Sequence, residues 1–151
     1  MNTAEVCKTQ KAKQFLRSIK KLNNMIENKL AERDQWRELA LSTTAKLSED
    51  RVQTSGNKQK MATAIERYVD IEAEVDRMID RLVAEKQSVI SVIEQLNAVE
   101  YDILHKIYVQ GANFYDIASK YGRTYSWATT MHGRALKHVQ NILDKQNSEK
   151  V

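Results

Sequence analysis

The stretch DIASKYGRTYSWATTMHGRALKHVQ, residues 116–140, decides how this chain is read. It sets Ala118 four positions before Gly122 and then runs into an amphipathic segment. From Ile117 to Leu143 there is no Asp or Glu, while Lys120, Arg123, Arg134 and Lys137 are present with His132 and His138. A solvated helix face normally mixes both signs of charge, so an acid-free stretch points to a polyanion.

Two helices that cross tightly through a short turn need a small residue at the crossing, and Ala118 fits. The turn needs a residue at ease in the left-handed region, and Gly122 supplies it. Asn113, with Asp116 three positions on, is placed to cap the first helix, FYDIASKY. Thr124 is placed to cap the second, whose inner face takes Ala128 and Met131, with Ile117 and Tyr121 completing a small core. These placements together predict a helix-turn-helix.

With Ala128, Met131, Ala135, Val139 and Ile142 inward, the opposite face of the second helix carries Tyr125, Ser126, Thr129 and Thr130 near its start. Gly133, Arg134 and Lys137 follow. In this motif the first turns of the second helix enter the major groove, where short hydroxyls meet base edges or the thymine methyl. Arg123, Arg134 and Lys137 suit phosphates, and Lys120 can reach one from the first helix. No Arg, Asn or Gln lies in the first two turns after Thr124, so the expected base specificity is modest. Trp127 borders both faces and is assigned to packing.

The run DIASKYGRTYSWATTMHGRALKHV is similar, without gaps, to the DNA-binding helix-turn-helix of bacterial sigma-factor region 4. Ile117, Ala118, Thr124, Met131 and Ala135-Leu136 carry the likeness. More broadly, IENKLAERDQWRELA, DRVQTSGNKQKM and YVQGANFYDIASKYGRTYSWATTMHGRALKHV resemble small phage and prophage proteins of Gram-positive bacteria related to ArpU- and RinA-type late transcription regulators. The likeness covers about residues 12–143. It implies DNA binding, in the host bacterial cytoplasm at the nucleoid, more firmly than it implies activation, and leaves contact with host RNA polymerase as an alternative to self-association. Tyr125, Ser126 and Trp127 stand where region 4 has charged residues, so recognition of a promoter −35 element does not carry over.

Outward from this stretch, apolar positions Phe15, Leu16, Ile19, Leu22, Ile26 and Leu30 recur every three or four residues and continue through Trp36, Leu39, Ala40 and Leu47. They predict one long amphipathic helix, with Lys29 and Arg33 interrupting its seam. Ser48, Thr54, Ser55, Gly56 and Asn57 mark a reversing loop at about 48–58. Beyond it, Met61, Tyr68, Val75, Leu82, Val89 and Leu96 keep a strict seven-residue repeat. Ala64, Ile71, Met78 and Val92 supply the second heptad position, broken at Glu85. Ile65, Ile79 and Ile93 widen that helix's apolar face, which is expected to recruit another chain or the C-terminal domain. Asn97 with Glu100 reads as a capping-box start for AVEYDILHKIYVQ, which Gly111 ends.

The expected fold is therefore all-α: a disordered N-terminus over 1–11 and a long antiparallel coiled-coil hairpin over 12–96. A helix-turn-helix domain over 97–143 and a flexible tail over 144–151 follow. The chain has 151 residues, no proline, four glycines and a formal net charge of +4. Charge falls as +3 in residues 1–50, −2 in 51–100 and +3 in 101–151. Cys7 is the single cysteine, which leaves no disulfide framework and fits a reducing cytoplasm. No signal peptide or membrane-spanning run is read.

Catalysis finds no foothold in the sequence. His105, His132 and His138 are too scattered for a metal face and are expected to meet solvent or phosphate. Glu72, Glu74, Asp76 and Asp80 alternate with Arg67, Arg77 and Arg81 as a salt-bridged exposed face. There is no phosphate-binding glycine loop and no nucleophile elbow, and no cofactor is expected. The function expected is a double-stranded-DNA-binding regulator whose coiled coil mediates self-association, a dimer being favoured, or polymerase contact. The alternatives are a small-terminase-like DNA-packaging recognition subunit and a structural coiled-coil protein.

Overall fold

Ala12, Leu16, Ile19, Leu22 and Ile26 are all buried, and their three-to-four spacing puts one continuous stripe on the first helix, α1, Gln10–Glu49. A computed structural model describes residues 8–49 and 55–150. After α1 come α2 at Ser55–Ile93, α3 at Ala98–Leu104, α4 at Phe114–Tyr121 and α5 at Tyr125–Glu149. A π-helical turn, His105–Val109, prolongs α3. Among the described residues all regular structure is helical, and no helix is long and apolar enough to cross a membrane.

The chain divides into two compact units. One takes in the described residues of 22–82. There Ile26, Ile71 and Val75 are buried, with Leu30, Trp36, Met78 and Leu82 packed on them. The seam's two interrupting cations are partnered across the helices: Lys29 Nζ lies 3.2 Å from Glu74, and Arg33 Nη1 lies 3.0 Å from Glu72. From Lys29 to Arg33 the partner on α2 moves back from Glu74 to Glu72. Arg67 reaches Glu32 at 3.5 Å and covers the Trp36 ring at 5.9 Å. The acids Glu72 and Glu74 thus pair with α1 rather than with the arginines of their own helix.

The other unit takes in the described residues up to 21 and from 83 onward. Leu16, Ile19, Val89, Ile93, Leu104 and Val139 are fully buried there. The break in the heptads at Glu85 is met by Ser18, whose hydroxyl donates to the carboxylate at 3.1 Å. A second cluster, Ile103, Ile117, Ala118 and Ala128, is closed over by Val99, Ile107, Phe114, Tyr121, Trp127 and Met131. It fixes α4 against α5.

Several boundaries differ from the sequence expectation. Of the disordered segment expected over 1–11, residues 8–11 are ordered: Thr9 is buried, its carbonyl accepts from Lys13 N at 3.0 Å, and the Ala12 N–H donates to Gln140 Oε1 at 3.0 Å. Residues 1–7 lie outside the described residues. The loop expected at about 48–58 shrinks, because α1 runs to Glu49 and α2 starts at Ser55. Its remainder, 50–54, also lies outside them. The expected tail over 144–151 is helical to Glu149. Neither Gly nor Pro stops it, and Gln140 donates to Asp144 at 3.0 Å across one turn. The capping box at Asn97 forms by half. Asn97 Oδ1 accepts from Glu100 N at 2.9 Å, but the buried Glu100 carboxylate turns to His138 Nδ1 at 2.8 Å.

Candidate nucleic-acid interface

Local chemistry sets the turn between α4 and α5. Asn113 Oδ1 accepts from Asp116 N at 2.9 Å, and Asp116 returns to the Asn113 N–H at 3.1 Å, a complete capping box. α4 ends at Gly122, with φ +59° and ψ 37°, the left-handed conformation that lets its N–H and that of Arg123 reach back to helix carbonyls. Arg123 N donates to Ala118 O at 2.9 Å. Thr124 Oγ1 then accepts from Trp127 N at 3.1 Å and opens α5. Three caps within a dozen residues define the crossing.

The residues expected to face a ligand distribute unevenly over α5. Arg123, Thr124, Tyr125, Ser126, Thr130, Arg134 and Lys137 are exposed, whereas Thr129 is half-buried. Ser126, Thr130, Arg134 and Lys137 share the face opposite the buried Ala128, Ala135 and Val139. The Thr129 and Thr130 hydroxyls donate to Ser126 O at 2.9 and 2.8 Å. Their donors are used, so they meet a ligand as acceptors, or through their methyls. Trp127 is half-buried against Tyr121, ring centroids 5.2 Å apart, as its packing assignment requires.

Lys120 stands apart from this set. Its ammonium is 2.9 Å from Asp102, which also accepts from Tyr121 Oη at 2.6 Å and pairs with Lys106 at 2.9 Å. Partial burial works to raise the Asp102 pKa, but the bonds from Tyr121, Lys120 and Lys106 outweigh it and hold the carboxyl well below its usual range. Burial, then the bond to Asp102, pushes the Tyr121 phenol up to about 12. Lys120 therefore ties α4 to α3, and reaching a phosphate means breaking that tie.

Two features were not read in the sequence. Tyr115 is 72% exposed, and its ring sits 4.7 Å from that of Tyr125, while Phe114 meets Tyr125 edge-on at 5.7 Å. The adjacent Phe-Tyr pair opening α4 was the available signal. His132, expected to face solvent or phosphate, packs inward. Its Nε2 is 2.8 Å from Tyr108 Oη, its ring stacks on Tyr108, and Phe114 meets it edge-on at 5.1 Å. Burial, helped by the nearby positive charges of Lys13 and Arg17, lowers its pKa to about 4, so the ring is neutral at pH 7. His138, half-exposed, is likewise engaged by Glu100.

No group of three or more His, Cys, Asp or Glu placed to hold a metal occurs among the described residues. A cleft of about 300 Å³ is lined by Lys8, Thr9, Lys137, Gln140 and Asn141. No family model matches the chain, and no match is found among curated proteins or solved structures.

Proposed function

We propose that α4, the Gly122 turn and α5 form a helix-turn-helix that binds double-stranded DNA, and that the chain is a transcriptional regulator of the phage type. The observation that carries this reading is the capped crossing at Gly122 combined with an α5 outer face of hydroxyls and cations. Caps at Asn113 and Thr124 fix the angle at which that face is offered. Ser126 and Thr130 are short enough to approach base edges, and Arg123, Arg134 and Lys137 are spaced to meet phosphate. In this reading α1 and α2 form an antiparallel coiled-coil hairpin that mediates self-association or polymerase contact. The falling register of the Lys29–Glu74 and Arg33–Glu72 pairs supports it.

The test is duplex binding as a function of salt. Each phosphate contact contributes about 0.9 to the slope of log affinity against log salt. Replacing Arg134 and Lys137 by Ala is expected to lower it by about 1.8. An unchanged slope removes both residues from the interface, and no salt-dependent duplex binding by the wild type removes the reading itself. The packaging alternative calls for a ring of many copies, which light scattering separates from a dimer.

A further inference from the structure

A cluster of cations without ion-pair partners among the described residues lies on the first turns of α1, outside the helix-turn-helix. Between Lys8 and Ile26 there is no Asp or Glu, and the segment carries Lys8, Lys11, Lys13, Arg17, Lys20 and Lys21. Lys13, Arg17 and Lys20 follow at intervals of four and three, so they share one face of the helix, with Lys21 beside it. Arg17, Lys20 and Lys21 are exposed and Lys13 is half-buried. None of these four has an ion-pair partner among the described residues. Farther along the same helix Lys29 is paired with Glu32 and Glu74, and Arg33 with Asp34 and Glu72. Four like charges on one face without a counter-charge repel one another, a cost that a polyanion removes.

The same turns of α1 also meet α5, through residues flanking the four cations. Ala12 N donates to Gln140 Oε1, Lys11 reaches Asp144 at 3.8 Å, and Lys8 lines one cleft with Lys137. On the other flank, Lys13 and Arg17 are close enough to His132 to act on its charge. From there the Phe114 ring leads to Tyr125 and the start of α5.

We infer that Lys13, Arg17, Lys20 and Lys21 form a second contact surface for duplex DNA, gripping the phosphate backbone alongside the groove that α5 enters. Residues 13–21 span roughly 12 Å at 1.5 Å per residue. That covers three to four nucleotide steps at about 3.4 Å of rise where α1 runs along the duplex axis. Such a grip carries no sequence information, but it fixes register and orientation. It supplies affinity where the soft face of Ser126, Thr129 and Thr130 supplies little. The inference rests on the duplex-binding reading above.

The experiment is a salt titration of wild-type and variant full-length chains on one duplex of arbitrary sequence. Arg17→Gln, Lys20→Gln and Lys21→Gln together are expected to lower the salt slope by about 2.7, and a single phosphate contact by about 0.9. An unchanged slope in this triple variant, with Arg134→Ala and Lys137→Ala still lowering it, overturns the inference and leaves the function standing. A wild type that binds only RNA or acidic protein, or no polyanion, overturns both. A measurement on the unaltered chain guards against misfolding. Lys20 and Lys21 should be protected from acetylation when duplex is bound, and equal labelling with and without DNA also overturns the inference.

Discussion

Gly122 shows how much one residue settles. An added Cβ there would meet nothing within 4 Å, so its requirement for glycine is conformational and not steric. Gly122→Val should therefore cost at least about 1–2 kcal/mol, the penalty of a left-handed L-residue, while Gly122→Asn should cost less. Thermal unfolding of the pair checks the order; equal melting temperatures would remove positive φ as the reason. His132 gives a pH prediction. Its pKa falls from 6.5 to about 4 in the folded chain, so between those values the unfolded state binds more proton. Stability is complete above about pH 6.5, declines as pH falls towards 4, and changes no further on this account below it. The loss is at most about 3–4 kcal/mol at 1.36 kcal/mol per unit. His132→Phe should flatten that part of the stability profile; a profile parallel to wild type would mean His132 is not the group responsible. The sequence concealed this role because Tyr108, the partner, lies 24 positions away on another element. Gly122, by contrast, was legible from spacing alone.

At the scale of elements, Asp102 is the joint between α3 and α4, accepting from Lys106, Lys120 and Tyr121. Asp102→Asn keeps the shape and removes the charge. It should destabilise the fold by about 1 kcal/mol, in the range of a partly exposed charge-assisted bond. Because its folded pKa is depressed, the carboxylate's contribution is present above the unfolded value near 3.8 and fades only as pH falls below it. The same substitution frees Lys120, so duplex affinity should rise while the melting temperature drops. If affinity falls in proportion to stability, Lys120 does not reach the backbone. The helices themselves were readable where period and cap agreed: the heptads of α2, Asn113 before α4 and Thr124 before α5. The boundaries that moved are those decided by contacts across the fold. Gln140 holds the start of α1, and Glu100 gives up half its cap to reach His138. The π turn at His105–Val109 had no signal of its own: Gln110 N reaches the His105 carbonyl five residues back, and Gly111 marks only where the helix ends.

For the whole molecule, the open question that physics can narrow is what covers α2. Ile65, Val69 and Ile79 are exposed at 46, 57 and 43%. Ile65, Glu72 and Ile79 keep a seven-residue step, and Val69 stands seven before Asp76, so a second heptad seam runs beside the first. A second copy of the chain offers the same seam, and in an antiparallel pairing Val69 can meet Ile79 of the other copy. With Val83, exposed at 50%, four aliphatics per chain bury a few hundred Å², well below the roughly 1,200 Å² of a stable interface, and the acids at 72 and 76 weaken it further. Self-association through α2 alone should therefore be weak and should strengthen when DNA holds two copies on half-sites about 34 Å apart. Sedimentation is expected to show a concentration-dependent monomer–dimer exchange in the free chain and two copies on a duplex carrying both half-sites. Ile65→Asp with Ile79→Asp should abolish the exchange without loss of helicity. Persistence of the dimer in that variant would move the interface off this face, and a closed ring of many copies in the wild type would favour the packaging reading over the regulator.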